Sequence, residues 1–305
     1  MKSGVGFALL VALLFSGGAP VFAYTPTTAA TYNLADGVVY HKYTYNSLYG
    51  GYQEIFVLEI DLIKENLEVG IGVCKNNLLT NVQTQGKNNG AIAAVNFGFA
   101  EMTGSAPSTA VGLLKARGKW YKSNGGIYSV YSEGYFWATG QRAGVVPPDK
   151  FSVGMADNLR WCYPMLVWQG AVYKPMADVT SDPSGIIVSR RSRTAVGVTS
   201  TRQKLFVVVV DERGSRYAVT CKELADYMIS IGCYEALNMD GGGSSTMWTS
   251  AYGLMNRPQN GTYQRPVYDI LFVRNRQAAT PETDTSNPSK PSPGSMTGYT
   301  PKLER

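Results

Sequence analysis

Thr194-Ala195-Val196-Gly197-Val198-Thr199 and Lys204-Leu205-Phe206-Val207-Val208-Val209-Val210-Asp211 flank the polar link Ser200-Thr201-Arg202-Gln203. Two β-rich runs around a short polar connection predict a hairpin. The second run is apolar without alternation from 205 to 210, so it predicts a strand covered on both faces. Downstream, Thr220-Cys221-Lys222-Glu223 has capping-box spacing. Leu224, Tyr227, Met228 and Ile231 then recur at helical spacing, and Gly232 reads as the stop. Residues 235–240 predict another strand, which runs into Gly241-Gly242-Gly243-Ser244-Ser245-Thr246, and residues 267–273 predict a closing strand.

Upstream, residues 54–60 read as a strand. In residues 67–74, Leu67, Val69, Ile71 and Val73 alternate with Glu68, Gly70, Gly72 and Cys74, the period of a half-buried strand. Residues 79–89 read as helical or irregular, and 91–97 form a short apolar run ending at Asn96-Phe97-Gly98. Between about 100 and 185 the chain reads as short strands and long loops, with one firm element at Met165-Leu166-Val167-Trp168. Strands, a helix and further strands, with no internal repeat, predict an α+β fold: a single compact domain with a mixed β-sheet and few helices.

The ends have a different character. Lys2, an apolar run over residues 5–15 and Val21-Phe22-Ala23 have the layout of an export signal cut after Ala23. The run is shorter than the roughly 20 apolar residues of a spanning helix. The expected product is a secreted or periplasmic protein with no membrane insertion after cleavage. From residue 277 to 305 Pro, Ser, Thr, Asn and Gly dominate, so this stretch reads as a disordered tail. Residues 24–276, about 250 positions, remain for the folded domain, which is ample for a core.

Several chemistries are excluded by composition. His41 is the one histidine. A zinc site built on several histidines is therefore impossible within the chain. His41 lies in Val38-Val39-Tyr40-His41-Lys42-Tyr43, which reads as a half-exposed strand and not as the turn of a Ser-His-Asp triad. No metal or other cofactor is expected. The net charge is +6. Basic residues cluster only at Arg190, Arg191 and Arg193, so a nucleic-acid partner is not expected. The four cysteines are Cys74, Cys162, Cys221 and Cys233. A helix between Cys221 and Cys233 separates them by roughly 18 Å, beyond the about 7 Å a bridge allows. Any bridge is therefore expected to join Cys74 or Cys162 to Cys221 or Cys233, and four free buried thiols are the alternative.

The strongest chemical signal is Asn238-Met239-Asp240-Gly241-Gly242-Gly243-Ser244-Ser245-Thr246. On a strand, Asn238 and Asp240 share the face opposite Leu237 and Met239. Three glycines then allow close backbone approach to a ligand. Their N–H groups can form an anion-binding nest, and the hydroxyls of Ser244, Ser245 and Thr246 add donors.

This segment resembles the signature of the phosphodiester glycosidase family, which includes the mannose 6-phosphate uncovering enzyme. Ala93-Ala94-Val95-Asn96-Phe97-Gly98-Phe99 resembles the family's asparagine-glycine-phenylalanine segment. Val111-Gly112-Leu113-Leu114 with Gly118-Lys119, and Tyr163-Pro164-Met165-Leu166-Val167 with Gly170, are similar to its next strands. Arg193-Thr194-Ala195-Val196-Gly197-Val198, Val210-Asp211, Asn256-Arg257-Pro258 and Arg265-Pro266-Val267 are similar to its later motifs. Glu212 stands where the family usually has glycine, and Phe97 and Ala100 replace more typical small and aromatic residues. The resemblance runs in order over roughly residues 36–275.

The resemblance implies cleavage of a sugar from a sugar-1-phosphodiester. A departing phosphate needs little protonation. One carboxylate as base or nucleophile then suffices, with cations and N–H donors around the phosphate. Asp240, Arg193 and the turn Gly241, Gly242 and Gly243 are that set. Asp211 is either a second acid/base or a partner for Arg193. Asn96 as a catalytic residue, and Asn256 and Arg265 as binding residues, follow from the resemblance alone. Thr194, Asn238, Ser244 and Ser245 complete the expected binding set. The expected partner is a phosphodiester-bearing carbohydrate in an envelope, exopolysaccharide or nutrient glycan. The alternative is a non-catalytic glycan-binding or exopolysaccharide-assembly protein.

Overall fold

The computed structural model describes residues 24–101, 108–124, 132–152, 154, 156–212, 218–258 and 263–276. The expected export signal and the tail after 276 lie outside the described residues.

The hairpin forms as Arg193–Val198 against Lys204–Val210, with Arg193 opposite Val210. It lies inside an eight-stranded sheet. The order is Thr28–Ala35, Val38–Leu48, Gly51–Asp61, Lys204–Val210, Arg193–Val198, Glu235–Asn238, Met165–Trp168 and Ala171–Val172. The unbroken apolar run is central, as its lack of alternation requires. Leu205, Val207 and Val209 enter the core on one face, and Phe206, Val208 and Val210 enter the core on the other.

Each face has its own cover. On the second face lies the Cys221–Ser230 helix, burying Leu224, Ala225, Tyr227 and Met228. Its start is the expected capping box: Thr220 Oγ1 accepts from Glu223 N at 3.2 Å, and Thr220 N donates to Glu223 Oε2 at 2.9 Å. Gly232 follows with φ +96°. The first face packs on a five-stranded sheet ordered Gly253–Leu254, Met247–Thr249, Ala93–Asn96, Asp269–Asn275 and Leu67–Val73. The Val82–Asn88 helix packs the outer side of that sheet, where Val82, Ala94, Trp248 and Phe272 form a third cluster. A further five-stranded sheet contains Gly134–Thr139, Asn158–Cys162 and Leu114–Ala116.

The few helices are as expected, but strands dominate and the mixed sheet needs correction. Every pairing among named strands is antiparallel except the two-residue match of Ser123–Asn124 with Thr109–Val111. Hairpins join some neighbours, but others meet from far apart in the chain, as Gly51–Asp61 does with Lys204–Val210 and Leu67–Val73 with Asp269–Asn275.

The cysteines follow the unbridged alternative. All four are free, buried thiols. Cys74 and Cys162 lie in the core on one face of the eight-stranded sheet, and Cys221 and Cys233 in the core on the other, so the sheet separates the expected partners. His41 is half-buried on the Val38–Leu48 strand, with Nδ1 3.0 Å from Thr31 Oγ1 and Nε2 3.5 Å from Glu59.

Candidate active site

The Glu235–Asn238 strand pairs with Arg193–Val198 on one side and Met165–Trp168 on the other. Leu237 and Met239 point into the core. Beyond Asn238 the chain joins the two packed sheets. Met239 N donates to Thr194 O at 2.8 Å, and Asp240 N donates to Phe97 O at 2.9 Å.

The three glycines have separate reasons. A Cβ on Gly241 would stand 2.8 Å from Ser192 O, Gly242 has φ +57°, and a Cβ on Gly243 would overlap the Arg265 guanidinium. Gly242 N donates to Ser192 O at 2.8 Å, and a short 3-10 turn over Gly242–Ser244 carries the chain onward. The turn thus lies between the Arg193 hairpin and Arg265.

Asp240 is partly exposed at the head of this turn. Burial pushes its carboxyl up to about 6. The Ser244 hydroxyl, Arg265 and the Gly241 N–H pull the other way, and Asp269 adds to the rise. Burial outweighs the donors. The result is a carboxylate that loses its proton near neutrality, beside a half-buried arginine.

The framework behind Asp240 is buried. Asn96 is fully buried: Nδ2 donates to Asp240 O at 2.6 Å, while Oδ1 accepts from Thr194 Oγ1 at 2.9 Å and Thr246 N at 3.1 Å. The Thr194 hydroxyl also meets Ser245 Oγ at 3.2 Å. Asn238 Nδ2 donates to Tyr163 O and Met239 O, both at 2.8 Å. Asn256 accepts from Met247 N at 2.7 Å and donates to Ser245 O at 3.0 Å. Asn96, Thr194, Asn238, Ser245 and Asn256 therefore hold the main chain around Asp240.

Asp211 shares this character. Its oxygens accept from Asn256 Nδ2 and Arg257 N, each at 2.7 Å, so it closes the loop after the glycine turn. Arg193 corrects an expectation. Expected as a cation at the phosphate, it is 2% exposed, within the buried hairpin. Nε donates to Val219 O at 3.1 Å and Nη2 to Ser189 O at 2.5 Å. Nε is met by the 218–220 segment, which nothing in the local sequence announces, and Nη2 by a carbonyl four residues upstream.

Two site residues escape sequence reading. Arg160 and Asp269 are fully buried and form an ion pair at 3.0 Å. Asp269 Oδ1 accepts from Gly98 N at 2.6 Å, and Arg160 donates to Val111 O and Phe99 O, each at 2.6 Å. A Cβ at Gly98 would overlap the Arg160 guanidinium. The pair thus fixes the Asn96-Phe97-Gly98 corner whose carbonyl anchors Asp240. The available signal was a charge inside each of two apolar strands, Leu159-Arg160-Trp161 and Tyr268-Asp269-Ile270. Among the described residues no group of three or more His, Cys, Asp or Glu could hold a metal.

A family model described as phosphodiester glycosidase matches residues 89–274, a span that contains Asn96, Asp240, the glycine turn, Arg265 and the buried ion pair. The chain belongs to the phosphodiester glycosidase family. The expected resemblance is thereby shown.

Solved structures agree on the fold of this phosphodiester glycosidase family member. One is the catalytic domain of zebrafish N-acetylglucosamine-1-phosphodiester alpha-N-acetylglucosaminidase, auto-inhibited by pro-peptide. It is 18% identical with a TM-score of 0.61, and the match covers 85% of this chain and 87% of that one. A hypothetical protein from Synechocystis is 12% identical with a TM-score of 0.59, covering 82% of this chain and 64% of that one. A putative exported protein from Burkholderia pseudomallei is 15% identical with a TM-score of 0.55, covering 76% and 75%. No curated protein matches the chain.

Proposed function

We propose that this phosphodiester glycosidase is an exported hydrolase that cleaves a sugar from a sugar-1-phosphodiester in an envelope polymer, an exopolysaccharide or a nutrient glycan. The observation that carries the reading is the pairing of Asp240, with its pKa near 6, and Arg265 against Gly243. The bond from the anomeric carbon to the phosphate oxygen breaks, and its electron pair stays on the phosphate. Water supplies the new oxygen at the anomeric carbon, and Asp240 takes the water's proton or first attacks that carbon itself. The products are free sugar and a phosphomonoester.

Arg265 faces the charge gathering on the phosphate, an interaction stronger in the transition state than in the ground state. A general acid for the leaving group is unnecessary, which suits a site where the other nearby carboxylates, Asp211 and Asp269, are engaged as acceptors. The zebrafish relative's name specifies an N-acetylglucosamine phosphodiester, and the class of bond, not the sugar, is carried over here.

The test is a panel of hexose and N-acetylhexosamine 1-(methyl phosphates), following release of reducing sugar and methyl phosphate. Turnover that is lost in Asp240→Asn supports the reading. Absence of turnover across the panel, with measurable glycan binding, supports a non-catalytic glycan-binding protein instead. For export, the secreted form should begin at Tyr24 by N-terminal sequencing, and a retained Met1 overturns that part.

A further inference from the structure

A concave site opens at the end of the Leu67–Val73 strand. It is a cleft of about 500 Å³ presenting Lys75, Lys119 and Lys122 with Trp120, Tyr121 and Asn77, and among the described residues no carboxylate belongs to its lining. The lysines are exposed and the two rings half-buried. Lys115 lies over the Trp120 ring at 5.6 Å and Lys119 over the Tyr121 ring at 5.9 Å, which braces both. Asn76 and Asn77 form one wall with φ of 54° and 57°. This left-handed pair is held by Tyr268, whose hydroxyl donates to Asn77 Oδ1 at 2.8 Å, and by Ser108 N donating to Asn77 O at 3.0 Å.

The topology relates this cleft to Asp240. Leu67–Val73 and Ala93–Asn96 both pair antiparallel with Asp269–Asn275, so their C-terminal ends leave the same end of the sheet. Val73 is level with Asp269, and Asn96 with Ile270. Val73, on the cleft's lining, is thus two strands from Asn96, about 10 Å at ordinary strand spacing. One sugar with its phosphate is an object of that size. A lone small diester would need only Asp240, Arg265 and the glycine turn.

We propose that this cleft is a second subsite, which takes a phosphate-bearing sugar further along an anionic glycan while the diester to be cut lies at Asp240. The substrate class is then a chain of sugars joined through phosphodiesters, not an isolated sugar phosphate. Lysine ammonium groups meet a phosphate as point charges with several donors. Trp120 and Tyr121 offer amphipathic faces to the sugar ring. The inference rests on the phosphodiester reading of Asp240.

The test uses the full chain and two probes: a tetramer of hexoses linked through 1-phosphodiesters, and a single hexose 1-(methyl phosphate). Combined Lys75→Ala, Lys119→Ala and Lys122→Ala is expected to raise KM for the tetramer roughly tenfold or more, given the strength of charge-assisted contacts. KM for the monomer and kcat for both should stay within about twofold, since none of the three touches the Asp240 machinery. Equal effects on monomer and tetramer overturn the subsite.

If wild type cleaves neither probe, the hydrolase reading fails by itself, and calorimetric titration with the tetramer decides the subsite. Binding lost in the triple variant upholds it, and unchanged binding overturns it. Trp120→Ala should weaken the tetramer but not inorganic polyphosphate of similar charge. Equal weakening of both, or of neither, overturns the sugar-stacking part.

Discussion

Two arginines flank the glycine turn, and the fold uses them in opposite ways. Arg193, beside Gly241, is buried with its donors on the carbonyls of Val219 and Ser189. Arg265, over Gly243, stays half-buried and acts electrostatically on Asp240. The same contrast holds for carboxylates. Asp211 and Asp269 are engaged by donors that fix loops and corners, whereas Asp240 is left with a raised pKa. A charged group saturated by the framework organises a site. The group left partly open to solvent is the one free to do chemistry.

The largest expected effect tests the carboxylate side of this contrast. Asp240→Asn should fold and lose about 10²–10⁴ in kcat on a sugar-1-phosphodiester. A folded variant with near-normal turnover would remove Asp240 from the chemistry.

Next comes Arg265→Ala, expected to lower kcat on the phosphodiester by about 10²–10³, the scale of one lost oxyanion donor. Loss on an aryl glycoside of the same sugar should be much smaller, because no phosphate charge develops there. Arg265→Lys should recover part of the rate, since charge returns without the planar fork. Equal losses on both substrates would transfer the phosphate role elsewhere on the turn.

Arg193→Ala should read out as stability instead. Removing a buried guanidinium that serves two carbonyls is expected to cost about 2–3 kcal/mol in denaturant unfolding. The surviving folded fraction should turn over the phosphodiester at close to the normal rate. A stable variant with a collapsed kcat would reverse the assignment of the two arginines.

The pH dependence is the gentlest probe. Asp240 must be ionised to act as base or nucleophile, so kcat/KM should be half-maximal near pH 6 and fall about tenfold per unit below it. Stability runs the other way. The folded value, about 6, lies above the ordinary 3.8. Ionisation therefore opposes folding; this cost is absent below about pH 4, grows through pH 6 and persists above it. Asp240→Asn should accordingly melt higher than wild type at pH 7.5 and level with it near pH 4. A flat rate profile between pH 5 and 8, or no gain in Tm at pH 7.5, would contradict the raised pKa.

Much of the frame was legible along the chain. The run at 205–210 announced a strand with a core on each side, and Phe206 and Val207 do enter different cores. Thr220 and Glu223 announced the helix start, and both reciprocal bonds form. The sheet that covers the hairpin was less legible. Its Ala93–Asn96 strand is only four residues long, and its neighbours Met247–Thr249 and Asp269–Asn275 come from the far end of the chain. The choice between bridged and free cysteines was illegible for a related reason, because which face of a sheet a cysteine occupies depends on strand order.

By itself the sequence determined the local pieces: a doubly buried hairpin, a capped helix, and an acidic residue entering three glycines. Periodicity, capping and left-handed glycine geometry act within a few residues, so they can be read without knowing what packs where. Tertiary structure decided which groups stay available. Asp240 is held by Asn96 from 144 positions away, and its neighbourhood holds a charge pair between Arg160 and Asp269 from two different sheets. Burial and Coulomb interactions depend on distance in space, and strands that meet at one sheet edge bring together charges that the chain keeps far apart.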